Sequence, residues 1–290
     1  MPDQNQQPGS DSRDSDTLLI DTLTAAIRTR GIAGSLRDDL AGFYASQGLQ
    51  GAALEAMIKR GSDHLRMYRT MVQGRLRRVI REFIPRTVAR LGKKRYAVDF
   101  ADFFADAGSH SVILRDVPGE FISFCRQRWL DTPEIADYLV DLATHEFLAD
   151  EVRNGMGGRE APTGHMLALE SALLFDGSSR LRRYNYAVHL LPLDTDDRSE
   201  PDALACGVLA YRDRDSYRVR NISLTLRATE VIERLLAGAT VLTALQQGAV
   251  AAGEDLNDDF LAGMTQVFAD LSERSVILGA LAEGPKSAAT

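Results

Sequence analysis

Apolar residues between positions 17 and 152 recur every three or four places, the period of helices that bury one face. Leu19, Leu23, Ala26 and Ile27 form a first stripe behind the capping cluster Asp14-Ser15-Asp16, and Gly31 stops it. Ser35-Leu36-Arg37-Asp38 resembles a capping box, and Leu36, Leu40, Phe43 and Tyr44 share one face after it. A long helix is predicted over 62–83, with Leu65, Tyr68, Val72, Leu76, Val79 and Phe83 turned inward. Pro85 ends it, because proline has no amide donor and crowds the preceding turn. Shorter helices are predicted over 100–104 and 119–129. A last one opens on Pro133 and turns Ile135, Tyr138, Leu139, Leu142 and Phe147 inward. No strand-like alternation interrupts this stretch, so residues 17–152 are expected to form an all-helical domain.

Residues 153–165 carry four glycines and Pro162, the composition of a linker. An ambiguous apolar stretch follows over 166–175, and then the period becomes two. Tyr184, Tyr186, Val188 and Leu190 alternate with Asn185, Ala187 and His189, which predicts a strand. A second strand is expected over 204–211 and a third over 217–224, joined in a hairpin by Arg212-Asp213-Arg214-Asp215. The helical period then returns in three pieces. Val231, Ile232, Leu235 and Leu236 lead to Gly238; Val241, Leu242, Leu245 and Val250 follow Thr240 and precede Gly253. Phe260, Leu261, Met264, Val267 and Phe268 face inward between Asn257 and Ser272, and Val276-Ile277-Leu278 is a candidate edge strand. The expected class is α+β: a helical domain, then a small winged-helix-like domain over 166–282 with three strands followed by three helices. Residues 1–16, polar and acidic with little to bury, are expected to be a disordered tail, and 283–290 a second tail.

Composition narrows the function classes. At 290 residues the chain has room for two domains, and 44% hydrophobic with 26% charged residues is ordinary for a globular protein. No apolar run approaches the roughly 20 residues that cross a bilayer, and the N-terminus lacks a basic, then apolar, targeting segment. A cytoplasmic location is therefore expected. Cys125 and Cys206 stand in different halves, each in an apolar stretch, so two reduced, buried thiols are expected rather than a disulfide or a zinc site. The net charge of −7 conceals an asymmetry: 59–95 holds thirteen basic residues against Asp63 and Glu82, a balance of +11, which leaves −18 elsewhere. That segment can be a solvated helix face, a dock for an acidic protein, or a nucleic-acid contact. Duplex readout through the last long helix is disfavoured, because Asp258, Asp259, Asp270 and Glu273 there would repel phosphate.

Catalytic motifs are missing from the sequence. There is no phosphate-binding glycine loop, no His-Glu-x-x-His and no Gly-x-Ser-x-Gly. His64, His110, His145, His165 and His189 are scattered. Asp141 and His145, four apart on one helix face, offer at most two ligands to a metal, and the Glu-x-x-His pairs of helical di-iron bundles are lacking.

Three short motifs resemble one family. Tyr68-Arg69, Phe83-Ile84-Pro85 with Leu91-Gly92, and Asp141-Leu142-Ala143-Thr144-His145-Glu146-Phe147 are similar to the signature of the HvfC/BufC-type N-terminal domain, which has also carried a DNA-binding label. Ile84 departs from it by separating Phe83 from Pro85, where an adjacent Phe-Pro is expected. The resemblance covers roughly 20–150 by motif and 180–280 by element order alone. It implies a non-catalytic partner subunit of the multinuclear non-heme iron-dependent oxidases that modify ribosomally made peptides. The iron would then sit in the oxidase, with no cofactor in this chain, and the winged-helix-like domain would capture the leader of the precursor peptide. On that reading Arg218, Arg220, Asn221 and Ser223 of the third strand would line the leader groove, since peptides add strands to sheet edges. The same charges also suit a strand protected against aggregation. Phe260, Met264 and Phe268 would pack beneath the groove. Arg75, Arg78, Arg81, Arg86 and Arg90 would face the oxidase. A DNA-binding regulator using the basic helix over 66–95 is the alternative, and a metal enzyme at Asp141 and His145 the third reading.

Overall fold

A computed structural model describes residues 10–109, 111, 113–155, 157 and 160–281, so His110 and the expected tails, apart from 10–16, lie outside the described residues. Eleven α-helices and five β-strands are present among the described residues, a mixed α+β chain. Packing divides it into two units. One is the chain up to Glu82 together with Leu91–Arg128; the other is Phe83–Arg90 together with everything from Trp129 onward. The division thus falls inside the expected helical domain rather than at the 153–165 linker.

The first unit is helical. α1 (Ser10–Arg28) starts earlier than its stripe suggests: the backbone of 10–16 is helical. α2 (Ala33–Asp38), α3 (Leu40–Ser46), α4 (Gly51–Arg60) and α5 (Asp63–Phe83) follow. Leu36, Phe43, Tyr44 and Leu65 pack with Ala26 into one core cluster. α6 (Pro85–Asp102) opens on proline, whose missing amide costs nothing in a first turn. It is broken at Gly92, whose φ of 76° and ψ of 161° no helix accommodates. A π-helical turn at Phe103–Ala107 and α7 (Val117–Leu130) complete the run. Tyr96, Phe100, Phe103 and Phe121 form an aromatic cluster with edge-to-face contacts as short as 5.6 Å between ring centroids.

The second unit is layered. β2 (Arg180–Tyr184), β3 (Cys206–Arg212) and β4 (Val219–Leu224) form an antiparallel sheet in that order, with β3 central. α8 (Tyr138–Asn154) covers one face, where Leu148 and Val152 meet Ala210. α9 (Leu226–Leu236), α10 (Val241–Ala252) and α11 (Asp258–Glu273) lie on the other, around Leu209, Tyr211, Val231 and Phe260. β3 is buried from Gly207 to Tyr211 because both its faces are covered, which explains why its sequence is continuously apolar. A Cβ at Gly207 would overlap the Thr229 side chain, so glycine is what allows α9 to lie this close. β1 (Leu173–Phe175) pairs antiparallel with β5 (Ile277–Ala280), which resolves the ambiguous 166–175 stretch. Side-chain caps start the helices: Thr225 accepts from Ala228 N, Thr240 from Thr243 N, and Asn257 from Phe260 N.

Two expectations are corrected here. Pro133 opens a turn, and α8 begins only at Tyr138. The first strand of the sheet lies at β2, four residues before the alternating Tyr184–Leu190 pattern begins to dominate, and Val188–Leu190 is a 3-10 turn. Asp141 is the cause: its Oδ2 accepts from the backbone amides of Asn185 (2.6 Å) and Tyr186 (3.2 Å), donors that a longer strand would have offered to a neighbour.

Candidate interaction surfaces

The three-stranded sheet has two edges, and they differ. On β2 the side chains are engaged: Arg182 binds Glu151 at 2.9 Å, and Arg183 binds Glu230 and Glu233, each at 2.5 Å. Glu230, held chiefly by the Arg183 hydrogen bond, has its carboxyl pushed down to about 2. β4 is the other edge and, among the described residues, pairs only with β3. Arg220, Asn221 and Ser223 on it are exposed, and so is Arg218, which precedes the strand.

Cross-strand partners assign their faces. Arg220 stands opposite Tyr211 and Ile222 opposite Leu209, so Arg220 lies on the α9 side of the sheet. Asn221 stands opposite Ala210 and Ser223 opposite Val208, on the α8 side. The four predicted groove residues therefore flank one edge from both faces rather than sharing a side. Arg218 lies in the turn, next to Tyr217, which takes a positive φ of 58° and is 73% exposed. Asp213 closes that turn by accepting from Ser216 N and Oγ; these bonds, with Arg220 adding to them, hold its carboxyl below the usual range.

Phe260, Met264 and Phe268 sit elsewhere. Phe260 is core, and Met264 and Phe268 line an apolar cavity of about 540 Å³ with Leu169, Leu245 and Leu261. Its lining includes none of Arg218, Arg220, Asn221 or Ser223. Leu167 and Leu169, which supply one wall, come from the apolar stretch whose period was ambiguous, so no sequence signal marked them.

The five arginines of the basic segment separate as well. Arg75, Arg78 and Arg81 are exposed on α5. Arg86 is buried: it forms an ion pair with Glu146, both side chains being about 5% exposed, and donates through Nη1 to the carbonyls of Leu191 and Pro192. The Arg90 side chain is also covered and binds the Asp197 carbonyl at 2.7 Å. Arg86 and Arg90 hold their own unit together and are not part of an exposed contact face. α5 carries a second correction: Tyr68, expected inward, is 51% exposed beside Met67 and Met71. The helix is apolar on two faces, and only one of them meets the core.

Asp141 caps the Asn185 and Tyr186 amides, and His145 packs among aromatic rings. His145 lies edge-on to Tyr184, with ring centroids 5.6 Å apart, and 6.4 Å from His189. Burial first, then Arg86 and His189, push its imidazole down to about 4. Cys206 Sγ lies 3.8 Å from His189 Nδ1, but burial raises the thiol and lowers the imidazole, the reverse of an activated pair. Among the described residues no group of three or more His, Cys, Asp or Glu side chains is placed to hold a metal ion. Cys125 and Cys206 are both free thiols, the first buried and the second partly so. No described helix is long and apolar enough to cross a membrane. No family model matches the chain, and no curated protein matches it.

Proposed function

We propose that the chain is a non-catalytic recognition subunit: it captures the leader of a precursor peptide by strand addition at β4 and forms a heterodimer with an iron-dependent oxidase that modifies that peptide. The observation that carries this reading is the difference between the two sheet edges. The β2 side chains Arg182 and Arg183 are held in ion pairs, while β4 presents exposed Arg220, Asn221 and Ser223 alternating across its edge. A peptide added there would take its affinity from main-chain hydrogen bonds and its register from alternate side chains. Acidic residues at every second position suit Arg220, and a second copy of β4 would bring like charges together. The sheet followed by three helices is in this reading a winged-helix-like module. Motif support comes from the HvfC/BufC resemblance, whose Phe83-Ile84-Pro85 and His145-Glu146-Phe147 segments meet in one structural joint. The iron belongs to the oxidase, and the complex would work in the cytoplasm, where the precursor is made.

Co-expression of the tagged chain with its neighbouring genes tests this directly. The expected eluate holds an iron-containing protein in near-equal amount and a short precursor peptide. An Arg218→Glu/Arg220→Glu variant should keep its fold and lose the peptide. A chain that elutes alone, or a variant that holds the peptide as tightly as wild type, overturns the reading.

Exposed Arg75, Arg78 and Arg81 favour one alternative, a DNA-binding regulator that uses α5. Duplex binding at physiological salt, falling steeply as salt rises, would establish it.

A further inference from the structure

The outward face of α5 has a composition that solvation alone does not explain. Met67, Tyr68 and Met71 are 56%, 51% and 61% exposed and follow one another at helical spacing. Gly74 comes next on the same face, with nothing within 4 Å of the position its Cβ would take. Arg75, Arg78 and Arg81 continue the stripe, all exposed. Of the other arginines of the helix, Arg66 forms a surface pair with Asp63 at 3.5 Å, Arg69 donates to the Ala26 and Ile27 carbonyls, and Arg77 lies over the Phe100 ring at 4.6 Å. Arg78 has a solvent-exposed partner in Glu82, while Arg75 and Arg81 make no ion pair among the described residues. One helix face thus presents an apolar half and a cationic half, with centres about 14 Å apart at 1.5 Å per residue.

We infer that this face is the heterodimer contact, and that it fits an apolar pocket on the oxidase flanked by carboxylates two to three helical turns away. The inference rests on the proposed function and adds the anchor to it. Methionine, tyrosine and arginine are the residues enriched where protein interfaces are buried, and exposed lysine-rich faces are not of this kind. Charge decides the partner's sign, since three arginines on one stripe require anionic groups opposite. A nucleic-acid duplex supplies the anions but leaves Met67, Tyr68 and Met71 against phosphate. An antiparallel pairing of two α5 helices sets arginines against methionines with no countercharge. The two halves have separate kinetic roles: the arginines steer encounter, and the apolar residues hold the complex once formed.

Binding kinetics of the full chain to the co-purified oxidase, followed on an immobilised-partner sensor, separate these roles. Tyr68→Ser/Met71→Ser should raise the dissociation rate about tenfold and leave the association rate nearly unchanged. Arg75→Gln/Arg78→Gln/Arg81→Gln should lower the association rate about tenfold at low salt and flatten its salt dependence. Thermal melting confirms that both variants are folded, as expected for exposed positions. Precursor-peptide capture by the full chain should be unaffected in both. Unchanged kinetics in both variants, with a wild-type chain that binds the oxidase, overturns the α5 assignment and leaves the recognition role standing. Binding of wild type to duplex DNA or to vesicles of phosphatidylglycerol, lost in the arginine variant while oxidase binding persists, also overturns it. A wild-type chain that does not bind the oxidase overturns both.

Discussion

Glu146 and Arg86, sixty positions apart, form one buried joint in which a single carboxylate starts a helix and neutralises a guanidinium. Glu146 Oε1 accepts from Arg86 N at 2.9 Å and from Arg86 Nε at 3.2 Å. Its Oε2 accepts from Thr87 N at 2.9 Å and Thr87 Oγ1 at 2.7 Å. Those amides belong to the first turn of α6, behind Pro85, where helix donors have no partner in the helix itself. Beside the joint, the rings of Phe83 and Phe147 meet with centroids 6.2 Å apart. The two motifs read from the sequence as Phe83-Ile84-Pro85 and His145-Glu146-Phe147 are thus two halves of one structural device.

Removing one half should be costly. Glu146→Ala leaves the Arg86 charge buried and two backbone amides unpaired, and should lower unfolding stability by about 3–5 kcal/mol. Arg86→Met/Glu146→Gln removes both charges and keeps an acceptor for the amides, so its loss should fall well short of the sum of the single changes. Urea unfolding of Glu146→Ala, of Arg86→Met and Glu146→Gln alone, and of the double variant decides it; additive losses would show that Glu146 acts on the helix terminus alone.

Local chemistry made part of this fold legible, and partner-dependent chemistry hid the rest. Thr240 and Asn257 mark the starts of α10 and α11 in the sequence because a side-chain cap is a local feature. The hairpin of β3 and β4 was legible for the same reason: its turn residues sit between two apolar runs. The alternation over 184–190 does not become a strand, because Asp141, more than forty positions earlier, takes the amides of Asn185 and Tyr186. Nothing in the period of α8 says that Leu148 and Val152 rest on Ala210, so the sequence alone places it with the helical half. The candidate site divides in the same way. Alternation separates Arg220 from Asn221 and Ser223 on the two faces of β4, whereas the burial of Arg86 and Arg90 depends on Glu146 and on the 191–197 loop. Charge counting treats those two arginines as equal to Arg75, and only their partners separate them.

His145 gives the second unit a defined acid sensitivity. Its imidazole titrates near 4 in the folded protein and near 6.5 when unfolded, so protons bind the unfolded chain more readily. The stabilisation is complete above about pH 6.5 and is lost progressively as pH falls toward 4, up to about 3 kcal/mol in total. Arg86 and His189 face the ring, and His189 shifts in the same direction through its own burial. A His145→Gln variant should flatten the melting temperature between pH 7 and pH 4 relative to wild type. An unchanged pH profile would place the sensitivity elsewhere.

Tyr217 holds a left-handed backbone while exposing most of its side chain, an arrangement that costs an ordinary residue roughly 1 kcal/mol or more. Tyr217→Gly should relieve that cost and leave stability equal or higher by up to about 1 kcal/mol. If the exposed ring belongs to the peptide surface beside Arg218, the same variant should capture the precursor peptide less well. Melting and peptide titration on one preparation separate the effects, and undiminished capture would remove Tyr217 from the surface.

Gly207 tests how closely α9 is pressed on the sheet. A methyl group there would overlap Thr229, whose Oγ1 already donates to the Thr225 carbonyl at 2.8 Å and is fixed by it. The side chain has no free rotamer to yield without breaking that bond, so Gly207→Ala should destabilise by about 1–3 kcal/mol, as overpacked cores do. Thr229→Ala removes the two closest atoms, Oγ1 and Cγ2, and leaves only Cβ at 2.9 Å, at the loss of one hydrogen bond, about 1 kcal/mol. The double variant should then be more stable than Gly207→Ala alone, a coupling opposite in sign to simple addition. Chemical denaturation of the four proteins measures it. A double variant no better than the single would mean that the strain at Gly207 lies in the β3 backbone and not against α9.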